Sequence, residues 1–281
     1  AHYIEERGKR MKGKNIVFVF ILAFLTAMSG MSQTSAQTAE PVGQPLREER
    51  AMAVVNRMAE FLSQAKSFSV TADIGFDAVQ DSGQKIEFGE TRKIILERPE
   101  HLRVDAIKRS GEKSQFTYDG KNLALYYDKA NVYASETKSG TVDEVIRYFI
   151  DDLGMRLPLG EMLSSQFKNV LEGKVREAIY VEESFIDGVA CDHVALRGDK
   201  ADMQLWIAKG AEPLPQRVVI TYKLSGDKPQ FWAQLSNWDL APKVSNELFA
   251  FNPPQGAKKI AFSPNQGMPL DKADAGKDGK L

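Results

Sequence analysis

The 281-residue sequence predicts a mainly β protein with some α: about eleven antiparallel strands in a strongly curved sheet, with helices plugging its concave side. Three observations carry this. From Ser67 onward, apolar and polar residues alternate with a period of two in many short runs. Gly, Asp and Asn gather in the short connections between runs, as in hairpins and meanders. Helical periodicity appears in only two places, ahead of the first run and in the middle of the chain.

The first helix is expected from about Leu46 to Lys66, because Ala51, Val55, Met58, Leu62 and Ala65 recur at spacings of three and four. The period then changes to two. Phe68, Val70, Ala72, Ile74, Phe76 and Ala78 make one face of a long strand. Asp81-Ser82-Gly83 turns the chain into a second strand over Lys85–Leu96, with Ile86, Phe88, Ile94 and Leu96 in phase. Glu90 and Arg92 fall on that same apolar face. A bulge at Gly89 that flips the register is the favoured reading, because it buries no charge; a polar pair at a cavity rim is the alternative. Four shorter strands follow, marked by Leu102/Val104/Ala106, Phe116/Tyr118, Leu123/Leu125/Tyr127 and Val132–Glu136. Thr141-Val142-Asp143-Glu144 is a capping box that opens a helix ending near Leu153, with Gly154 in the C-terminal cap position. A second short helix is expected over Glu161–Phe167. Strands resume near Ala178, with a hairpin at Asp187-Gly188 and three further runs ending at Leu235.

Composition bounds the function. Thirty-seven basic residues against 38 acidic ones give a net charge of −1, which supplies no field for nucleic acid. The single cysteine, Cys191, excludes an intrachain disulfide and a Cys-built zinc site. Arg7, Lys9, Arg10, Lys12 and Lys14 precede the uncharged apolar run Ile16–Ala27, and small residues follow at Thr34-Ser35-Ala36. That order is a secretory signal peptide with Ala36/Gln37 as the expected cleavage point; the apolar run is shorter than the ~20 residues of a spanning helix. No cysteine stands at that point, so the chain is not expected to be a lipoprotein. The expected organisation is an extension and signal at 1–36, a flexible leader at 37–46, one domain at 47–264 with lid helices at about 141–168, and a disordered tail at 265–281.

No catalytic signature is legible. Cys191 and His193 share a strand face but read as packed side chains. Hydrolase, zinc-protease, phosphate-loop and dinucleotide motifs are all missing, so no enzyme activity, cofactor or metal is expected. Trp206, Trp232 and Trp238 read as cross-strand sheet packing rather than a stacking site for a sugar or base. The amphipathic faces must meet a second layer. A curved sheet with helices inside leaves either a crevice for an apolar ligand or a solid core, and alternation alone does not choose between them.

Several stretches resemble known proteins. Arg98 to Val104 (RPEHLRV), Tyr118 to Leu123 (YDGKNL) and Tyr126-Tyr127 are similar to strands of the LolA/LolB-like superfamily of lipoprotein carriers. Asp187 to Ala195 (DGVACDHVA), Asp202 to Ile207, Pro213 to Tyr222, Leu235 to Leu240 and Phe249 to Ala257 resemble a branch of predicted periplasmic proteins, the domain-of-unknown-function family 2092. The likeness runs from about Arg57 to Phe262. It implies a half-open barrel with a helical lid whose crevice accepts acyl chains or apolar protein segments, and it brings no catalytic residue.

The resulting expectation is a soluble, non-catalytic periplasmic carrier or sensor that binds a lipid or an acylated or apolar partner and touches the membrane only transiently. The alternative is a cell-envelope interaction or regulatory module with a filled core and an envelope protein as partner. If there is a crevice, its expected walls are Phe68, Val70, Ile74, Phe76, Phe88, Leu102, Val104, Phe116 and Leu125 from the sheet, with Val145, Phe149 and Ile150 from the helix.

Overall fold

A computed structural model describes residues 46–262. The expected signal segment with its cleavage point, the leader before Leu46 and the tail 265–281 lie outside the described residues.

Helix α1 (Glu49–Gln64) buries Ala51, Val54, Val55, Met58, Ala59 and Leu62, the stripe that the three-and-four spacing predicts. Six strands follow as a meander: β1 (Ser67–Val79), β2 (Lys85–Glu97), β3 (His101–Lys108), β4 (Lys113–Asp119), β5 (Asn122–Tyr127) and β6 (Val132–Thr137). After the helical interruption come β7 (Val175–Ile186), β8 (Val189–Gly198), β9 (Ala201–Ala208), β10 (Pro215–Tyr222) and β11 (Gln230–Asp239), and a short β12 (Lys258–Ile260) closes the series. All belong to one curved, unclosed sheet in the order β12-β6-β5-β4-β3-β2-β1-β11-β10-β9-β8-β7. Two sequential meanders therefore meet at a single seam, where β1 pairs antiparallel with β11 from Ser69↔Asp239 to Phe76↔Phe231.

Helix α1 lies against β7, β8, β9 and α3 (Phe167–Lys174). The chain just ahead of it covers part of the β7 edge: Glu48 N–H donates to the Ala178 carbonyl and Ala178 N–H to the Leu46 carbonyl, both at 2.9 Å. Backbone groups on an edge strand otherwise invite pairing with another chain.

Four sequence expectations are corrected. The strand β12 is additional to the eleven expected; it pairs in parallel with β6, and its three residues are too few to show alternation. The expected helix over Glu161–Phe167 is a 3-10 turn at Gly160–Leu163, and the helix proper is α3, whose Asn169 and Gly173 weaken its helical signal. The helix ending near Leu153 is α2 (Val142–Arg147) only in its first part; Tyr148–Asp152 widens into a π-helical turn. Finally, there is no bulge at Gly89. The β1–β2 register runs unbroken from Ser67↔Glu97 to Val79↔Lys85, so Glu90 and Arg92 do face inward.

One glycine shapes the outer face. A Cβ on Gly75 would lie 2.4 Å from the Trp232 indole, so the ring can lie flat on the sheet only over a glycine. The Arg217 guanidinium sits between two indoles, 5.4 Å from the Trp232 ring and 5.8 Å from the Trp206 ring. Both tryptophans are thus committed to cross-strand packing, while Trp238 turns inward onto Phe68 at 5.4 Å.

Candidate functional site: an apolar crevice under the middle helices

The inner column of β2 changes character along its length. Phe88 is 50% exposed, Glu90 9%, Ile94 4% and Leu96 fully buried. The column runs from an open mouth near the β1–β2 hairpin to a closed floor. Beside it stand Leu102, Val104 and Ala106 of β3, Phe116 of β4, and Leu125 and Tyr127 of β5. The roof is Val145 and Ile146 of α2, Phe149 of the π-helical turn, and Met155, Leu157, Leu159 and Leu163 beyond it. Together they enclose a cavity of about 640 Å³. That is the size and predominantly apolar lining of a small-ligand site. Phe149 meets the facing wall edge-on at Phe116, 5.5 Å between centroids, and Phe76 stacks on Phe88 at the mouth, 6.2 Å.

The roof is pinned at one end. Thr141 and Glu144 form the capping box, and the backbone and hydroxyl bonds from Thr141 hold the Glu144 carboxyl below its usual range. Tyr118, fully buried, donates from its hydroxyl to the Gly140 carbonyl at 2.6 Å and reaches the Lys138 carbonyl at 3.1 Å. Burial first, then the negative charges of Glu100, Glu144 and Asp119, push its pKa up to about 12. Ser165 donates from both its N–H and its hydroxyl to Asp143, and Arg98 donates to the Leu163 and Leu62 carbonyls at 2.7 and 3.2 Å. The other end of the π-helical turn leaves through Gly154, at φ +62° with open space around it.

At the mouth, Arg109 pairs with Glu87 at 2.8 Å, and Glu112 takes Lys108 at 3.1 Å and Lys129 at 2.8 Å. Deeper, Arg92 Nε donates to Glu90 Oε1 at 2.6 Å. This is the polar pair that the sequence reading set second to a bulge.

Of the twelve expected wall residues, Phe76, Phe88, Leu102, Val104, Phe116, Leu125, Val145 and Phe149 line the cavity. Phe68 and Val70 are instead packed against Leu62, Leu163 and Trp238, with about 10 Å³ left between them. Ile74 is fully buried in the core. Ile150 instead lines a second hollow on the other side of α2, with Asp143, Glu144 and Arg147. The residues missed are chiefly Met155, Leu157, Leu159 and Leu163, which sit in an aperiodic connection. Tyr127 was within reach of the sequence reading, being in phase with Leu125.

Cys191 and His193 are both buried on the outer face. The thiol donates to the Val189 carbonyl at 3.3 Å, and burial pushes its pKa up. His193 stacks on Trp206 at 4.1 Å and bonds Gln204 through Nε2 at 3.1 Å; burial lowers its pKa. The thiol and the His193 Nε2 are engaged with their own neighbours, and His193 Nδ1 is buried without a hydrogen-bond partner among the described residues. Among the described residues no group of three or more His, Cys, Asp or Glu stands ready for a metal ion, and no helix is long and apolar enough to cross a membrane.

No curated protein matches the chain. Among solved structures it is similar to an uncharacterized conserved protein from Thermus thermophilus, at 12% identity and TM-score 0.44, covering 76% of this chain and 100% of that one. It is also similar to the Mycobacterium tuberculosis lipoprotein LppX, at 11% identity and TM-score 0.43, with 70% and 98% covered. A third is the LolA superfamily protein NE2245 from Nitrosomonas europaea, at 13% identity and TM-score 0.35, with 72% and 97% covered. The family profile described as "Predicted periplasmic protein (DUF2092)" matches residues 51–263, most of the chain, and the protein belongs to that family.

Proposed function

We propose that this protein is an exported, non-catalytic carrier or sensor of the periplasm, which holds the apolar chain of a lipid, or an acylated or apolar protein segment, in the cavity beneath α2. The observation that supports this most directly is the cavity itself: about 640 Å³ between the sheet and a roof of short helical pieces, open at Phe88. A core built only for stability closes such a space, since each unfilled methyl-sized volume costs about 1 kcal/mol. The roof acts as a lid in this reading, fixed where Tyr118 and the capping box hold it and hinged at Gly154. Export rests on the basic, apolar and small-residue order of residues 7–36.

The test is purification from the native envelope followed by mass spectrometry of co-eluting lipid. Near-stoichiometric lipid is expected. Lipid-free protein that also excludes an uncharged apolar fluorophore would overturn the reading.

A further inference from the structure

Below the charged rim of Glu87, Lys108, Arg109 and Glu112, the cavity wall is apolar except at one level. Glu90 and Arg92 stand on the inner column of β2 between half-exposed Phe88 and buried Ile94, below the mouth and above the floor. Arg92 reaches Glu90 Oε1 through both Nε and Nη2. The two charges cancel. Their cationic neighbours at the mouth are already engaged, Lys108 by Glu112 and Arg109 by Glu87. Tyr127, also in the lining, has its hydroxyl pKa raised by burial and then by the charge of Glu90.

We propose that this pair is a polar recognition point, and that the cavity takes amphiphiles whose apolar chain ends in an uncharged amide in preference to the matching free carboxylate. The inference rests on the carrier reading above. With the chain on the apolar floor, the amide oxygen accepts from Arg92 and the amide N–H donates to the Glu90 carboxylate. A carboxylate offers no donor to Glu90 and adds a second negative charge beside it, while Arg92 and Lys108 are already paired with Glu90 and Glu112. An ester accepts but does not donate, so it falls between. Sites built to pair with both a donor and an acceptor reject ligands that leave one partner empty.

The experiment is displacement of N-phenyl-1-naphthylamine, an uncharged reporter of apolar sites, from the full chain by decanamide, methyl decanoate and decanoate. It is run at about pH 8, where the free acid is ionised. Decanamide is expected to displace the reporter at a concentration more than about tenfold below that of decanoate, with the ester between. Glu90→Gln removes the negative charge and frees Arg92, so decanoate gains and the preference shrinks or inverts. Should that variant not fold, the double change Glu90→Leu with Arg92→Leu leaves no unpaired charge and no hydrogen-bonding partner, and is expected to erase the advantage of amide over ester. Equal displacement by amide and acid in the wild type overturns the inference while leaving the carrier standing; so does an unchanged preference in either variant. A wild type that admits no reporter overturns the carrier reading and this inference with it.

Discussion

Helix α1 and the roof segment lie against one continuous concave face, yet one fills its half and the other does not. Helix α1 is a single 16-residue helix, and its stripe of Ala51, Val55, Met58 and Leu62 is fully buried. The roof covers β2 to β5 with a six-residue α-helix, a five-residue π-helical turn and a four-residue 3-10 turn, each too short to present a full stripe. Where the covering element is long and regular, packing closes. Where it is broken into turns, about 640 Å³ stays open. Hollowness here belongs to the cover and not to the sheet, whose inner face alternates in the same way under both.

The sharpest way to break this comparison is to place the same polar side chain in each half. Ile74→Gln, in the filled half, is expected to cost about 3–5 kcal/mol, the sum of lost packing and an unpaired buried amide. Val104→Gln, on the cavity wall, should cost less than about 1.5 kcal/mol, because the amide stays wetted, while uptake of an apolar fluorophore falls sharply. Denaturant unfolding beside fluorophore titration reads both. Equal losses would mean that the two halves are equally packed.

Tyr118→Phe tests the pinned end of the roof. Two backbone carbonyls lose their shared donor, for an expected loss of about 1–3 kcal/mol. Amides of Val142–Asp152 should then exchange faster, with those of β1 unchanged. The pH dependence has a fixed sign: a phenol whose folded pKa is about 12 against an ordinary 10 favours the folded state while protonated. That stabilisation is complete below about pH 10 and is lost as pH rises toward 12. Wild type should therefore lose stability across that window more steeply than Tyr118→Phe; parallel profiles would count against the anchor.

Cys191→Ala probes the outer face, far from the hollow. A small cavity should cost about 1 kcal/mol and leave fluorophore uptake intact. The native thiol, with its pKa raised, should alkylate slowly. Rapid modification of the folded protein would contradict the burial. The smallest effect is expected at the Gly154 hinge of the roof. Gly154→Ala forces a side chain into φ +62° without any clash, costing about 0.5–1 kcal/mol, and it should slow fluorophore entry more than it weakens final affinity. An unchanged entry rate would place the hinge elsewhere.

The strands were legible because their signal is local. Phe88, Val104 and Phe116 announce their face by alternation, whatever lies opposite. What lies opposite is not local, and there the sequence was silent. Ile74 and Phe76 share one column of β1 two residues apart, yet Ile74 is sealed in the core while Phe76 stands at the cavity mouth. Glu90 and Arg92 show the same limit. A rule against burying charge pointed to a bulge, but the face is a cavity wall there and the two charges neutralise each other. The roof residues Met155 to Leu163 lie in an irregular connection without period, and β12 is held to β6 as a strand of only three residues.

The seam between the two meanders also has a kinetic meaning. Within each meander, neighbouring strands follow one another along the chain and can zip through short loops. The β1–β11 pairing instead joins Phe76 to Phe231, across a loop that contains most of the domain. Closing it carries the largest entropy cost of any strand pairing in the sheet, so it is the step expected to set the folding rate. Helix α1 changes that step. It precedes β1 and so belongs in sequence to the first meander, yet it lies against β7, β8 and β9 of the second. Docking α1 onto the second meander shortens the loop that the seam has to close. The element that fills one half of the barrel is thereby also the clasp that assembles both.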